Sequence, residues 1–151
     1  MNCFAKRVKK LAYLFKTDTE SVDWAQVAAL LSHFGLSQLN AETQKRVFES
    51  SYAVVFVYDG ETLIGCGRAL SDGVCQAAIY NIALDERYHG QGLGKEIIRR
   101  LVSQVSECNI ILYTHPKTVS LYEHLGFRRM KTGMAMYRQD HIEELEKMDF
   151  I

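Results

Sequence analysis

The 151-residue chain contains a single proline, Pro116, no long apolar run and no excess of either charge. With so little proline and no stretch rich in glycine or serine, nothing in it predicts a linker or a low-complexity segment. Eighteen basic residues balance eighteen acidic ones, so we expect no nucleic-acid or membrane partner on the ground of charge. No apolar run has the length of a transmembrane helix. Apolar residues make up 48% of the chain, which predicts one globular domain over residues 1–151.

Cysteines with the spacing of metal ligands are also lacking. The four present are Cys3, Cys66, Cys75 and Cys108. Scattered thiols of this kind are typical of a reducing compartment, so we expect a cytoplasmic protein without a metal. A basic cluster at residues 6–10 precedes the apolar stretch Leu11–Phe15, which is too short for the core of a signal peptide. We interpret this cluster as a solvated strand edge.

The most distinctive segment is Arg87-Tyr88-His89-Gly90-Gln91-Gly92-Leu93-Gly94-Lys95, which lies between a strand-like run and a helix-like run. Glycines at alternate positions let the backbone turn sharply and bring several N–H groups close to a ligand. The helix that begins at Gly92 or Leu93 adds unpaired N–H donors and the positive end of its dipole. The segment therefore predicts a site for a phosphate or a pyrophosphate.

Two common phosphate-binding motifs do not fit this segment. A Walker A loop requires Gly where His89 stands and Ser or Thr where Glu96 stands. A dinucleotide-binding fingerprint requires a third Gly at Lys95 and a position after an early strand, whereas this loop lies past the middle of the chain. An ordinary glycine-rich connection between a strand and a helix remains the alternative.

Hydrophobic periodicity and turn residues predict the secondary structure. The predicted helices are Val22–Phe34, Ala41–Glu49 with Asn40 as N-cap, Leu93 to about Glu107, Pro116–Leu125 followed by Gly126, and His141–Met148. The predicted strands are Lys10–Thr17, Tyr52–Tyr58, Thr62–Leu70, Cys75–Leu84, Asn109–Tyr113, Arg128–Lys131 and Met134–Arg138. The dipeptides Asp59-Gly60 and Asp72-Gly73 predict hairpin turns, and the last two strands predict a closing pair. This order indicates an α/β or α+β fold, with Asn109–Tyr113 in the middle of a mixed sheet.

Three segments, in this order along the chain, resemble the GNAT-type N-acetyltransferase superfamily. Ile64-Gly65-Cys66-Gly67-Arg68 is similar to its third strand, and Arg87-x-x-Gly90-x-Gly92 is similar to its acetyl-CoA pyrophosphate loop. Leu121-Tyr122-Glu123-His124-Leu125-Gly126-Phe127 resembles its Leu-Tyr-x-x-x-Gly-Phe segment. The resemblance implies an acyltransferase with the GNAT-like fold, a central and mostly antiparallel mixed sheet flanked by helices.

The resemblance also implies acetyl-CoA as the acetyl donor. The pyrophosphate would lie on the backbone amides of Tyr88, His89, Gly90, Gln91, Gly92, Leu93, Gly94 and Lys95. The pantetheine arm would pair with the main chain of Ile82, Ala83 and Leu84 like an added strand. The side chains of Arg87 and Lys95 either contact phosphate or are plain surface charges. His115 stands where relatives often place an Asn that contacts the cofactor, although a helix cap is an alternative.

By the same resemblance, Tyr122 is the candidate acid that protonates the leaving thiolate of CoA; the alternative is a half-buried aromatic side chain. A phenol with a pKa of about 10 stays protonated at neutral pH, and transfer to a thiolate with a pKa of about 8.5 is uphill by only about 2 kcal/mol. The base that deprotonates the amine is unassigned, because the positions where relatives carry an acidic residue hold Gln76 and Asn81. The remaining possibilities are Asp72, Tyr80, Tyr113, His115 or a chain of waters.

The expected reaction is direct attack of a primary amine on acetyl-CoA in a ternary complex, since no cysteine lies in a motif for an acyl-enzyme. The acceptor is a small amine, a lysine or an N-terminal amine. Its predicted surroundings are the segment between the first two helices and the closing strand pair, with Trp24, His33, Phe34, Met130 and Met134. Trp24 is expected mainly in the core. The alternative function is a non-catalytic acetyl-CoA sensor, and a homodimer through the terminal helix is possible.

Overall fold

The computed structural model describes residues 12–151, so the basic cluster at 6–10, Cys3 and the start of the predicted first strand lie outside it. The chain divides into two compact units, residues 1–111 and residues 112–151. Within residues 12–151, no helix is both long enough and apolar enough to cross a membrane.

The first unit contains one sheet and three helices. Its strands are β1 (Leu14–Lys16), β2 (Ala53–Asp59), β3 (Thr62–Ser71), β4 (Gln76–Leu84) and β5 (Asn109–Ile111). Its helices are α1 (Trp24–His33), α2 (Ala41–Glu49) and α3 (Leu93–Gln104). The strands lie in chain order across the sheet; β1 to β4 pair antiparallel, and β5 pairs parallel to β4. The predicted mixed and mostly antiparallel sheet is confirmed.

Helices α1 and α2 begin at side-chain caps. The Asp23 carboxylate accepts from the N–H groups of Ala25 and Gln26, and the Asn40 side chain accepts from Thr43 N–H, so the predicted cap of α2 is confirmed. Both helices contribute to a core in which the Phe48 and Phe56 rings lie 5.4 Å apart. The Trp24 ring packs against both phenylalanines, and its expected place at the core is confirmed.

Helix α3 covers the other face of the sheet. A side chain at Gly65 or Gly67 would meet Ile97 at 3.0 or 3.1 Å, so these two glycines allow α3 to approach β3 closely. Since side chains alternate along a strand, Cys66 between them points to the face that carries α1 and α2. Helix α3 ends at Gln104 rather than near Glu107, because Val105 N–H donates to Val102 and tightens the last turn.

The second unit contains two short helices, α4 (Val119–His124) and α5 (Ile142–Lys147), each preceded by a 3₁₀ turn. The end of α4 has the hydrogen bonds of a Schellman motif: Phe127 N–H donates to Tyr122 and Gly126 N–H donates to Glu123. Gly126 has a φ of +94°, which suits glycine, so its predicted place after the helix is confirmed. The Tyr122 and Phe127 rings, 5.7 Å apart, close the motif with an apolar contact.

Two predictions about strands are wrong. Residues 128–131 and 134–138 form no strands, and the side chains of Met134 and Met136 are 98% and 101% exposed. A strand is stabilised by a paired neighbour and a buried face, and these residues have no buried face. As a result β5 lies at the edge of the sheet rather than in its middle, and it ends at Ile111 instead of Tyr113.

Candidate acetyl-CoA site

Strand β5 pairs with only the first part of β4. Pairing joins Gln76 to Asn109 and ends where Ala78 meets Ile111, whereas β4 continues to Leu84. Among the described residues, no strand pairs with this side of β4 from Ile79 onward. An extended chain can therefore add its polar groups to the exposed edge, which includes Ile82, Ala83 and Leu84.

A bulge marks the middle of this edge. Cys66 pairs with Ala83 and Arg68 pairs with Tyr80, so Gly67 lies opposite two residues of β4, Asn81 and Ile82. Asn81 has a φ of +55°, a left-handed conformation that is uncommon for residues other than glycine. The bulge changes the direction of the β4 edge just before Ile82–Leu84.

Side chains from three elements hold the bulge in place. Arg68 Nε donates to Asn81 Oδ1 at 2.6 Å, and Arg68 Nη1 donates to Ser51 Oγ at 3.4 Å. The guanidinium also lies over the Tyr80 ring, 5.3 Å from its centre. No local sequence pattern links Arg68 to Asn81, so this role of Arg68 is not predictable from the sequence.

The glycine loop follows β4 directly and presents backbone donors. Gly90 and Gly92 have φ values of +78° and +82°, which favour glycine, and α3 begins immediately afterward at Leu93. Among residues 12–151, no acceptor takes the backbone N–H groups of residues 90–95. A Cβ atom on Gly90 or Gly92 would meet nothing within 4 Å, so the backbone at these two positions is accessible. Clustered donors at a helix N-terminus form an anion site.

The side chains of the loop bind mainly to the protein itself. Arg87 pairs with the Asp85 carboxylate, with Nη2 and Oδ2 2.6 Å apart. Tyr88 donates to Asp59 Oδ2 at 2.8 Å, and His89 Nε2 lies 2.8 Å from the Leu84 carbonyl oxygen. Gln91 Oε1 accepts from Tyr13 at 2.8 Å, whereas Lys95 is exposed. These contacts fix the loop and leave recognition to its backbone.

Asp85 organises the entry to the loop. Its carboxylate accepts from Arg87 N–H at 2.9 Å as well as from the guanidinium. The hydrogen bonds from Arg87 lower the pKa of Asp85 to about 2, so the pair is ionised at neutral pH. Asp85 N–H donates to the Ile64 carbonyl at 2.8 Å, which ties the loop entry to β3.

Tyr122 lies on α4 in the second unit, where its ring is half-buried. Burial raises the pKa of its phenol above 10, although a hydrogen bond with Thr114 acts in the opposite direction. The phenol therefore carries its proton at neutral pH and can donate it.

His115, also in the second unit, caps the 3₁₀ turn before α4. Its Nδ1 accepts from Lys117 N–H at 3.1 Å, and its ring packs edge-on against Phe150 at 6.0 Å. This is the helix-cap alternative of the sequence analysis.

The candidate bases differ in how they are held. Asp72 accepts from the N–H groups of Val74, Cys75 and Gln76, and these bonds keep the pKa of its carboxyl well below its usual range. A general base works best with a pKa near the operating pH, so this geometry argues against Asp72. Gln76 and Asn81 are amides without basic character.

Within residues 12–151, no group of three His, Cys, Asp or Glu side chains could hold a metal ion.

The residues predicted around the acceptor belong to two different units, Trp24, His33 and Phe34 to the first and Met130 and Met134 to the second. Trp24 belongs to the core, and Met130 and Met134 are exposed in a segment without strands. His33 Nε2 lies 2.6 Å from Glu86 Oε1, at an open groove of about 400 Å³ beside Leu63. The expected pair of strands beside the acceptor is absent from the described residues.

Comparisons with known proteins agree with this geometry. Residues 17–143 match the family model described as "Acetyltransferase (GNAT) domain". The chain is 27% identical over 120 residues to GCN5-related N-acetyltransferase 1, chloroplastic, of Arabidopsis thaliana, which covers 76% of this chain and 61% of that protein. It is 27% identical over 137 residues to serotonin N-acetyltransferase 2, chloroplastic, of Oryza sativa subsp. japonica, which covers 83% of this chain and 68% of that protein. The matched part of this chain thus corresponds to about two thirds or less of the length of these relatives.

A solved structure described as a putative acetyltransferase from Deinococcus radiodurans superimposes with a TM-score of 0.76 at 27% identity. The match covers 85% of this chain and 90% of that chain. The chain belongs to the GNAT acetyltransferase family, a family of acyltransferases with acetyl-CoA as donor. The resemblance based on the glycine loop and the Tyr122 segment is thereby confirmed.

Proposed function

We propose that the chain is a single acetyltransferase domain that transfers the acetyl group of acetyl-CoA to a primary amine. The observation that carries this proposal is the edge of β4 beyond the end of β5, which leads to a loop with unpaired backbone N–H groups. The edge suits the amide groups of a pantetheine arm, and the loop suits a pyrophosphate. The β4 edge leads directly into the glycine loop. The pantetheine arm and the pyrophosphate, which are joined in CoA, would therefore be bound by adjoining segments.

The residues present fit acetyl-CoA in two respects. Gly90 and Gly92 leave the loop backbone uncovered, and Ile82 and Ala83 pair with no strand on one side among the described residues. Main-chain N–H groups of residues 90–95 would hold the pyrophosphate, with a further cofactor contact from His115. The N–H groups of Tyr88 and His89, also predicted there, instead donate to the carbonyls of Asp85 and Glu86. Side-chain contacts of Arg87 and Lys95 with phosphate would be minor beside these, since Arg87 already has a partner.

Bound acetyl-CoA supplies the thioester whose carbonyl carbon the amine nitrogen attacks. Tyr122 donates its phenolic proton to the sulfur as the C–S bond breaks, and burial keeps that proton in place at neutral pH. The amine cannot lose its proton to a carboxylate of β4, since Gln76 and Asn81 are amides. Tyr80, Tyr113, His115 and a chain of waters are the remaining acceptors of this proton. Amine and acetyl-CoA are bound together, and no acyl-enzyme forms.

The acceptor is a primary amine on a small, apolar or aromatic body. In support, the chain shares 27% identity with a rice relative named for serotonin, which is an amine of this kind. A peptide lysine or N-terminal amine is the second class of acceptor. The cytoplasmic location and a homodimer stay predictions.

The test is titration calorimetry of the purified protein with acetyl-CoA, followed by a thiol-release assay. The amine panel contains serotonin, a lysine peptide and a peptide with a free N-terminus. Binding in the micromolar range with thiol release supports the enzyme, and the preferred amine identifies the acceptor class. Binding without release on any amine favours the acetyl-CoA sensor. Absence of binding contradicts both functions.

A further inference from the structure

Two cysteines stand at matching positions where β4 and β5 begin. Gln76 of β4 lies opposite Asn109 of β5, and the two strands run parallel. Cys75 and Cys108 each come one position earlier, and Asn109 N–H donates to the Cys75 carbonyl oxygen at 2.8 Å. The Cys75 carbonyl therefore takes part in the pairing, and Cys108 comes directly before the first paired residue of β5.

This placement has the dimensions of a disulfide. Neighbouring strands lie about 4.8 Å apart, and side chains at matching positions point to the same face. A disulfide joins Cα atoms that are about 4.4–6.8 Å apart.

Both sulfurs also contact one turn. Cys108 Sγ lies 3.5 Å from Ser71 Oγ, and Cys75 Sγ lies 3.1 Å from Asp72 Oδ2. Ser71 ends β3 and Asp72 follows it, so both thiols lie beside the same connection between β3 and β4.

The two thiols are open to chemistry, whereas Cys66 is not. Cys75 is exposed and Cys108 is partly buried, so a reagent can reach both sulfurs, although the hydrogen bond to Asp72 raises the pKa of the Cys75 thiol. Cys66 is fully buried in the core, and burial raises its pKa to about 12, which suppresses the reactive thiolate. Oxidation is therefore expected at Cys75 and Cys108 rather than at Cys66.

We propose that Cys75 and Cys108 form a reversible disulfide that links the start of β4 to the start of β5. The oxidant is a low-molecular-weight disulfide such as oxidised glutathione. One cysteine thiolate attacks it, releases one glutathione thiol and holds the other as a mixed disulfide. The second cysteine then displaces that glutathione, so the S–S bond of the oxidant is broken as the protein bond forms. The two protein thiols lose two protons and two electrons, and two glutathione thiols result.

The experiment uses the full chain with Cys3→Ser, which removes the thiol outside the described residues. The protein is equilibrated with defined ratios of oxidised to reduced glutathione, quenched with an alkylating reagent under denaturing conditions and measured by intact mass. We expect a species that carries one alkyl group, on Cys66. Apart from that group, its mass should be two hydrogens below that of the reduced protein. Peptide mapping is expected to find Cys75 joined to Cys108. The bond closes a long loop, so the Tm should rise by several degrees and return after reduction.

The matched control is Cys3→Ser with Cys75→Ser, in which Cys108 can form only a glutathione adduct and the Tm should not rise. The proposal is overturned if the Cys3→Ser protein accumulates glutathione adducts without closing the ring. It is equally overturned if the linkage runs through Cys66. Should Cys3→Ser impair folding, the same mapping on the unsubstituted chain decides between these outcomes. None of these readouts depends on acetyl-CoA, so the result is independent of the proposed function.

Discussion

The Nε atom of Arg68 lies 2.6 Å from Oδ1 of Asn81, across the pair formed by β3 and β4. Asn81 holds a left-handed backbone with a φ of +55° at the bulge beside Ile82–Leu84. Because Asn tolerates this conformation better than most residues, its side chain and backbone both favour the bulge. By the resemblance described above, Asn81 stands where some relatives carry an acidic residue. In this chain the Asn81 side chain instead accepts a hydrogen bond from the Arg68 guanidinium.

Arg68→Met should release Asn81 while preserving most of the buried side-chain volume. A hydrogen bond to a charged group contributes about 1.5–3 kcal/mol, so the free energy of unfolding should fall by that order. The acetyl-CoA affinity should also fall, since the bulge sets the course of the β4 edge. Urea denaturation and calorimetry measure the two effects. The control is Arg99→Met on the exposed side of α3, and equal losses in both variants would show that the bulge does not depend on Arg68.

Gly92→Val should remove acetyl-CoA binding. Gly92 has a φ of +82°, and a side chain there would cover the loop backbone at the start of α3. The left-handed conformation should also cost about 1–2 kcal/mol of stability, which must be separated from the loss of binding. Gly35→Val is the matched control for the loss of stability. Gly35 has a φ of +65°, and an added Cβ there would also meet nothing within 4 Å. Calorimetry should find binding lost in Gly92→Val alone, and retained wild-type affinity there would refute the loop assignment.

Elements with signals inside their own sequence were predictable. The bounds of α2 agree with the prediction because the Asn40 cap fixes its start. Asp59-Gly60 connects β2 to β3 as predicted, since Gly60 takes up a φ of +59° at no steric cost. The glycine loop was found for the same reason, because Gly90 and Gly92 adopt the positive φ values that only a few residue types accept readily.

Features that depend on a distant partner were not predictable. Met134–Arg138 has residues compatible with a strand, but pairing decides whether a strand forms, and the Met134 and Met136 side chains remain exposed. The contact between Arg68 and Asn81 depends on register. A two-residue turn at Asp72-Gly73 would place Arg68 opposite Ala77, whereas the structure pairs it with Tyr80. The longer turn accounts for this difference, and the bulge shifts the register by one further residue beyond Arg68. Neither has a decisive local signal.

Tyr122→Phe should lower kcat by about 10²–10⁴-fold, the usual contribution of a general acid. The Kd for acetyl-CoA should change little, because the phenyl ring keeps its contact with Phe127. Tyr137→Phe in the same unit is the control, since it removes a phenol from a ring that packs against Tyr113. Thiol release and calorimetry measure the two constants. An unchanged kcat in Tyr122→Phe would remove this residue from the mechanism.

Asp72→Asn should make stability less dependent on acidic pH. The Asp72 carboxylate accepts three backbone N–H groups and the Cys75 thiol, which together hold its pKa well below the usual value of about 3.9. A depressed pKa in the folded state adds stability that is fully present above about pH 4 and is lost as the pH falls below it. The Tm of Asp72→Asn should therefore lie below that of the wild type at neutral pH, and the gap should narrow towards about pH 2. Glu107→Gln, at an exposed carboxylate after α3, should show no such gap. A gap that is constant across this range would mean that the turn needs the shape of the Asp72 side chain and not its charge.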